Sequence, residues 1–189
     1  MTKHWWINLT VALGIAAILV LFNFGCGGGS GGGGGPVGPT APTIADVDGY
    51  WSGSLTLESV DGCGCIGSVL QMFVGLAEES FIDISQSGSA IQGRWTSQGS
   101  GEWCDVTGTV GSESLSVEAT SCVTEVITEV ECLNGALRDL HWTGATLQAT
   151  VFGNDMSGTA IETWDCSNSK NGEPAGTLTL QGRTQHKRG

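Results

Sequence analysis

Trp51-Ser52-Gly53-Ser54-Leu55-Thr56-Leu57-Glu58 alternates without a break: Trp51, Gly53, Leu55 and Leu57 fall on one side, Ser52, Ser54, Thr56 and Glu58 on the other. A period of two is the mark of a β-strand with one dry and one wet face. The pattern returns along the chain. Ile82 and Ile84 alternate with Asp83 and Ser85, and Ile91, Gly93 and Trp95 with Gln92, Arg94 and Thr96. Leu115, Val117 and Ala119 alternate with Ser116, Glu118 and Thr120, and Leu147, Ala149, Val151, Leu178 and Leu180 continue the series. Between these runs stand Ser87-Gly88, Gly111-Ser112, Gly153-Asn154-Asp155 and Asn171-Gly172, which are hairpin signals. The expectation is an all-β domain of eight to ten antiparallel strands over residues 46–184. It reads as an up-and-down β-barrel, with a β-sandwich as the alternative.

One segment departs from period two. Ile66, Val69, Leu70, Phe73, Val74 and Ala77 recur at helical spacing, so residues 66–78 read as a short amphipathic helix or, with Gly67 and Gly75 inside it, as a buried strand. Its apolar stripe is read as packing rather than as a ligand groove.

Outward from the domain the composition changes. The chain has 189 residues, of which 31 are Gly, and Lys+Arg 7 against Asp+Glu 19 gives a net charge of −12. That balance excludes a nucleic-acid partner. With hydrophobic residues at 40% and charged residues at 14%, the chain is not an acidic disordered tail either. A mostly apolar run from Trp5 to Phe24 follows Lys3, and no acid occurs before Asp46. Such a run is a secretory signal peptide (1–25) or an uncleaved membrane anchor. A Gly- and Pro-rich linker, 26–45, then separates it from the domain. The linker's glycine run lacks a following Lys-Ser/Thr and is no phosphate loop.

Asn23-Phe24-Gly25-Cys26 at the end of the apolar run resembles the lipobox of bacterial lipoproteins. The resemblance implies cleavage before Cys26, lipidation (palmitate among the acyl chains) of Cys26, and a tethered domain outside the cytoplasm. With Gly27 next, it favours the outer membrane. The alternative is an N-terminal transmembrane anchor with an extracytoplasmic domain. Gly49-Tyr50-Trp51 at the first strand and Arg183 late in the chain resemble the lipocalin and wider calycin pattern. There the Trp packs under the Arg at the closed end of the barrel, so Trp51 and Arg183 are the expected barrel-closing pair. The stretches Cys132–Leu140 and Asp155–Thr159 are similar to bacterial envelope lipoproteins with Gly- and Thr-rich β domains, a likeness that implies a fold and an address but no activity. The many tryptophans invite comparison with avidin-like barrels, whose polar ligand set is not found.

Apart from Cys26, six cysteines remain: Cys63, Cys65, Cys104, Cys122, Cys132 and Cys166. An even six in an oxidising compartment points to three disulfides. Cys63 and Cys65 are too cramped to pair with each other, and each is expected to reach another segment. Cys104 and Cys122 flank one hairpin but are out of phase, so pairing them requires a β-bulge. No zinc or redox spacing is present.

Catalytic candidates are few. Asp139-x-His141 has a triad-like spacing but reads as a surface pair, and no Gly-x-Ser-x-Gly elbow accompanies it. Glu125, Glu129 and Glu131 read as an exposed acidic strand, and Asp46-Val47-Asp48-Gly49 is a fragment of a calcium loop. His186 falls in a basic tail, residues 185–189. The resulting expectation is a lipid-anchored, extracytoplasmic, non-catalytic barrel without metal or cofactor. Its partners are the membrane, through the anchor, and a small apolar ligand lined by Trp51 and Trp95. The alternative is a structural or interaction lipoprotein of the cell envelope.

Overall fold

A computed structural model of the chain describes residues 43–97, 103–132 and 134–189. The signal segment 1–25, Cys26 and most of the linker 26–45 lie outside the described residues. The chain divides into two units, Met1–Thr43 and Ile44–Gly189, and the second is the β domain.

Among the described residues nine strands run in chain order: β1 (Gly49–Gly62), β2 (Ala77–Ser87), β3 (Ala90–Ser97), β4 (Trp103–Val110), β5 (Ser114–Cys122), β6 (Val126–Glu131), β7 (Leu137–Phe152), β8 (Asp155–Asn168) and β9 (Pro174–Arg188). Every pairing is antiparallel between chain neighbours, except that β9 returns to β1 and β5 also pairs with β7. Strands β1-β2-β3-β4-β5-β7-β8-β9 therefore close into an eight-stranded up-and-down barrel, and the sandwich alternative is excluded. The long strand β7 has two partners on one edge. Its Thr146–Thr150 half pairs with β5, and its Leu137–His141 half pairs with β6, which is thereby an added edge strand.

Two cores result. The first fills one end of the barrel with inward residues from most strands, among them Trp51, Ile82, Ile84, Ile91, Val106, Leu115, Val117, Leu147 and Met156. The second lies where β1, β7, β8 and β9 continue beyond the barrel. It gathers Leu140, Trp164, Leu178 and Ile66, with Val60, Leu70, Ile127 and Leu180 at its margin.

Ile66 and Leu70 belong to a single helix, α1 (Cys65–Leu70), followed by a 3-10 turn at Gln71–Phe73. The helical reading of 66–78 holds for this first part only. Val74 is already extended, Gly75 has φ +89°, and β2 begins at Ala77. Gly62, Cys63 and Gly64 all have positive φ, which turns the chain from β1 into α1 within three residues.

The expected basic tail 185–189 is not a tail. Residues 174–188 form one strand, and Gln185 to Arg188 pair with β1 on one side and, through Lys187, with β8 on the other. Among the described residues, no helix is long and apolar enough to cross a membrane.

Candidate functional site

The filled end of the barrel is closed by the segment before β1. Ala45 N–H donates to the Gly111 carbonyl and Val47 N–H to Gln86 Oε1, so the segment is tied to two hairpins. Trp51 is fully buried, and its indole Nε1–H donates to the Val47 carbonyl at 2.8 Å. A guanidinium does lie over the Trp51 ring, at 5.8 Å, but it belongs to Arg188 and not to Arg183. Parity is the reason. Gly182, Thr184, His186 and Arg188 take the inward side of β9, whereas Arg183 points outward and pairs with Glu58. Arg188 also donates to both carboxylate oxygens of Asp46 and to the Asp48 carbonyl. These bonds hold the Asp46 carboxyl below its ordinary pKa and raise that of Arg188. Trp51 is thus fully buried in the first core, beneath this closing segment.

Further inside lies a line of polar groups that the alternation of apolar residues did not reveal. Ser80, Thr184 and His186 are buried among apolar neighbours. Trp95 Nε1–H donates to Ser80 Oγ at 2.7 Å, Ser80 Oγ lies 3.2 Å from His186 Nε2, and His186 Nδ1 lies 2.9 Å from Thr184 Oγ1. Because an indole only donates, Ser80 Oγ accepts from Trp95. Ser80 and Thr184 hydroxyls can each donate or accept, so both ring nitrogens of His186 are satisfied in either neutral tautomer. Gly53 makes this possible: it pairs with Ser80 on β2 and with His186 on β9, and its missing side chain lets the two reach across. A Cβ at Gly53 would overlap the Gln185 carbonyl and the His186 Cα.

Burial drives the His186 pKa down from 6.5 to about 4, so the ring is neutral at pH 7. Hydroxyl, imidazole and hydroxyl stand in the order of an acyl-transfer triad, but the third member is a neutral Thr and the base is weak. The line serves better as a fixed polar strip in an apolar wall.

Beyond this strip the burial changes. Leu55 and Leu57 of β1, Trp95 of β3, Cys104 of β4 and Trp142 of β7 occupy inward positions yet are only half-buried. Trp142 packs against both cores, and its indole Nε1 is enclosed without a hydrogen-bond partner. Glu78, opposite Leu55, and Glu162, opposite Leu180, also take inward positions here. Of the two tryptophans expected to line a ligand, Trp51 is fully buried in the first core and Trp95 is half-buried and packed against it. Ser80, Thr184, His186 and Trp142 join them as residues that sequence reasoning did not select. The usable signal was parity, since Leu178 and Leu180 extend at the same spacing through Gly182 and Thr184 to His186.

The remaining candidates are structural. Cys63 pairs with Cys166, Cys65 with Cys132, and Cys104 with Cys122. The required bulge stands between Asp105 and Val106, beside Cys104. The Asp139 carboxylate accepts from Ser169 Oγ–H and from the Glu129 N–H, and these bonds lower its pKa. It thereby fastens β6 rather than orienting His141, which is exposed. Glu125, Glu129 and Glu131 are exposed on and beside β6. Among the described residues no three His, Cys, Asp or Glu side chains gather to hold a metal. On the outer wall, a hollow of about 530 Å³ is lined mainly by Ser52, Ser54, Asp155, Ser157, Gln185 and Lys187.

No family model, curated protein or solved structure matches this chain.

Proposed function

We propose that this protein is a lipid-anchored, extracytoplasmic barrel module that binds a small, largely apolar ligand among the half-buried inward residues and performs no catalysis. One observation carries the reading. The same barrel has inward residues that are fully buried at one end and only half-buried at the other, where two tryptophans and two leucines meet a line of polar groups. A barrel that served only as a packed core would bury both sets alike. Three disulfides support an oxidising compartment, and the apolar run ending at Cys26 supports the anchor. The absence of catalysis rests on the weak base and the missing carboxylate behind it.

The test is titration of the full chain with N-phenyl-1-naphthylamine, a neutral apolar fluorophore. The expected result is a saturable blue-shifted emission with one site per chain, weakened by Trp95→Ala. No saturable binding would end the ligand reading. Cys26→Ser is expected to move the protein from the membrane pellet to the soluble fraction.

The hollow on the outer wall favours a second reading, an envelope protein that meets a partner through its Ser- and Gln-rich face. In that case the fluorophore does not bind, and a partner is captured by the wild type but not by a chain carrying Gln185→Ala and Lys187→Ala.

A further inference from the structure

The geometry points to a binding site on the outside of the barrel: the hollow on the wall of β1, β9 and β8 takes a neutral saccharide, through its hydroxyls and its ring faces. The site lies apart from the barrel interior and stands whether or not an apolar ligand binds there. For the partner that the second reading above gives to this wall it names the chemistry, and to that extent it rests on that reading.

The floor of the hollow follows from register. Ser52 on β1 and Asp155 on β8 both stand opposite Lys187 of β9, and Ser54 and Ser157 both stand opposite Gln185. These outward side chains line a space of about 530 Å³. The serines on either side of Gln185 are short, so the wall dips there. Their hydroxyls and the Gln185 amide can each donate and accept, which is what a sugar hydroxyl needs of its partner. An apolar occupant would leave the same groups unpaired.

The flanks of the hollow are aromatic. Phe81 of β2 stands opposite Ser52, and Tyr50 stacks on Phe81 with ring centroids 5.8 Å apart. On the other side Phe152 of β7 stands opposite Asp155 and is 80% exposed. With strands about 4.8 Å apart, Phe152 and Phe81 are separated by about 19 Å along the wall, a span that suits a short oligosaccharide. An exposed apolar residue by itself is ordinary. Aromatic residues on both flanks of a polar hollow are different, because they complement a pyranose ring, whose edge is polar and whose C–H face packs on a π-face.

The charges of this wall select a neutral sugar. Lys187 and Asp155 lie 3.8 Å apart as an exposed pair, and Arg183 is paired with Glu58. Both cations of the wall are thus engaged, and an anionic sugar gains no charge partner of its own. Glu79, opposite Ser54, and Asp83, opposite Tyr50, are exposed beside the hollow and are screened by solvent.

The experiment is saturation-transfer NMR on the full chain with maltotriose, cellotriose and triacetylchitotriose, and with trigalacturonate and deacetylated chitotriose as charged counterparts. At least one neutral trisaccharide is expected to bind, with a Kd of about 0.1–1 mM for so open a site. Its affinity should not change with salt, and its ring C–H protons should receive the strongest transfer. Phe152→Ala and Gln185→Ala, both at exposed positions, should each weaken binding about fivefold or more and leave the melting temperature unchanged. Ile161→Ala, at an exposed apolar position farther along β8, should leave binding unchanged. Absence of binding by all three neutral sugars at about 10 mM, tenfold above the expected Kd, overturns the inference. So does tighter, salt-dependent binding of a charged sugar, or neutral binding that survives both substitutions. If the sugars fail while a protein is still captured through Gln185 and Lys187, the second reading stands and its saccharide form falls. If neither is bound, both fall.

Discussion

Arg183 and Arg188 are five residues apart on one strand, yet parity gives them opposite fates. Arg188→Ala removes a guanidinium from the Trp51 ring and unties Asp46 and Asp48, so a loss of about 1–2 kcal/mol is expected in urea unfolding. Arg183→Ala removes an exposed pair with Glu58 and should cost well under about 1 kcal/mol. Equal losses would contradict the assignment of Arg188 as the closing residue. His186 makes a pH prediction. Its folded pKa is about 4, below the ordinary 6.5, so between these values the unfolded chain binds more protons than the folded one. Stability is therefore full above about pH 6.5 and falls as pH drops towards 4, by about 2–3 kcal/mol at most. Urea midpoints at pH 7 and pH 4.5 would show the fall, and His186→Gln should flatten it. Gly53→Ala tests the strip from the other side. The added methyl meets backbone on β9, and a loss of more than about 3 kcal/mol is expected in thermal melts.

At the scale of elements, the disulfides divide into two kinds. Cys104–Cys122 spans 18 residues and fastens one hairpin, whereas Cys63–Cys166 spans 103 and joins the corner after β1 to β8. By loop entropy the long bridge is worth about 1.5 kcal/mol more than the short one. Paired alanine substitutions at Cys63 and Cys166 should therefore lower the urea midpoint further than those at Cys104 and Cys122. The edge strand β6 is also guarded. Glu129 sits at φ +57° in a bulge between Ile127 and Val130, and exposed Glu125 and Glu131 flank it, which discourages pairing with a second chain.

Much of this arrangement could be read from residue order alone. Alternation in 51–58, 82–85, 91–96, 115–120 and 147–151 marked the strands and their dry faces, and the phase mismatch of Cys104 and Cys122 foretold a bulge. What stayed hidden has physical reasons. In β9 the inward marker residues change after Leu180 from apolar to Gly182, Thr184, His186 and Arg188, so an inner wall resembled a solvated tail. Helical spacing at Ile66, Val69, Leu70 and Phe73 was real, but Val74 and Ala77 matched it by coincidence. The unpartnered Trp142 leaves no trace in sequence at all, because it depends on what the fold brings, and fails to bring, to one nitrogen.

For the whole molecule the decisive contact is the seam between the first strand and the last. Trp51 to Gly62 pair with Leu178 to Arg188, and no other pairing in the barrel spans so much chain. A chain ending at Gln181 should keep its hairpins but lose closure, with exposed apolar surface visible as dye binding and a lost near-ultraviolet signal. The same seam governs when this protein can fold. Until β9 has been synthesised, β1 lacks one neighbour, the polar strip lacks His186 and Thr184, and Trp51 lacks its cover. Contacts of such long sequence separation form slowly and late. A chain that still lacks β9 is thus an open row of hairpins, and it is the arrival of this one strand that turns a sheet with two free edges into a sealed barrel.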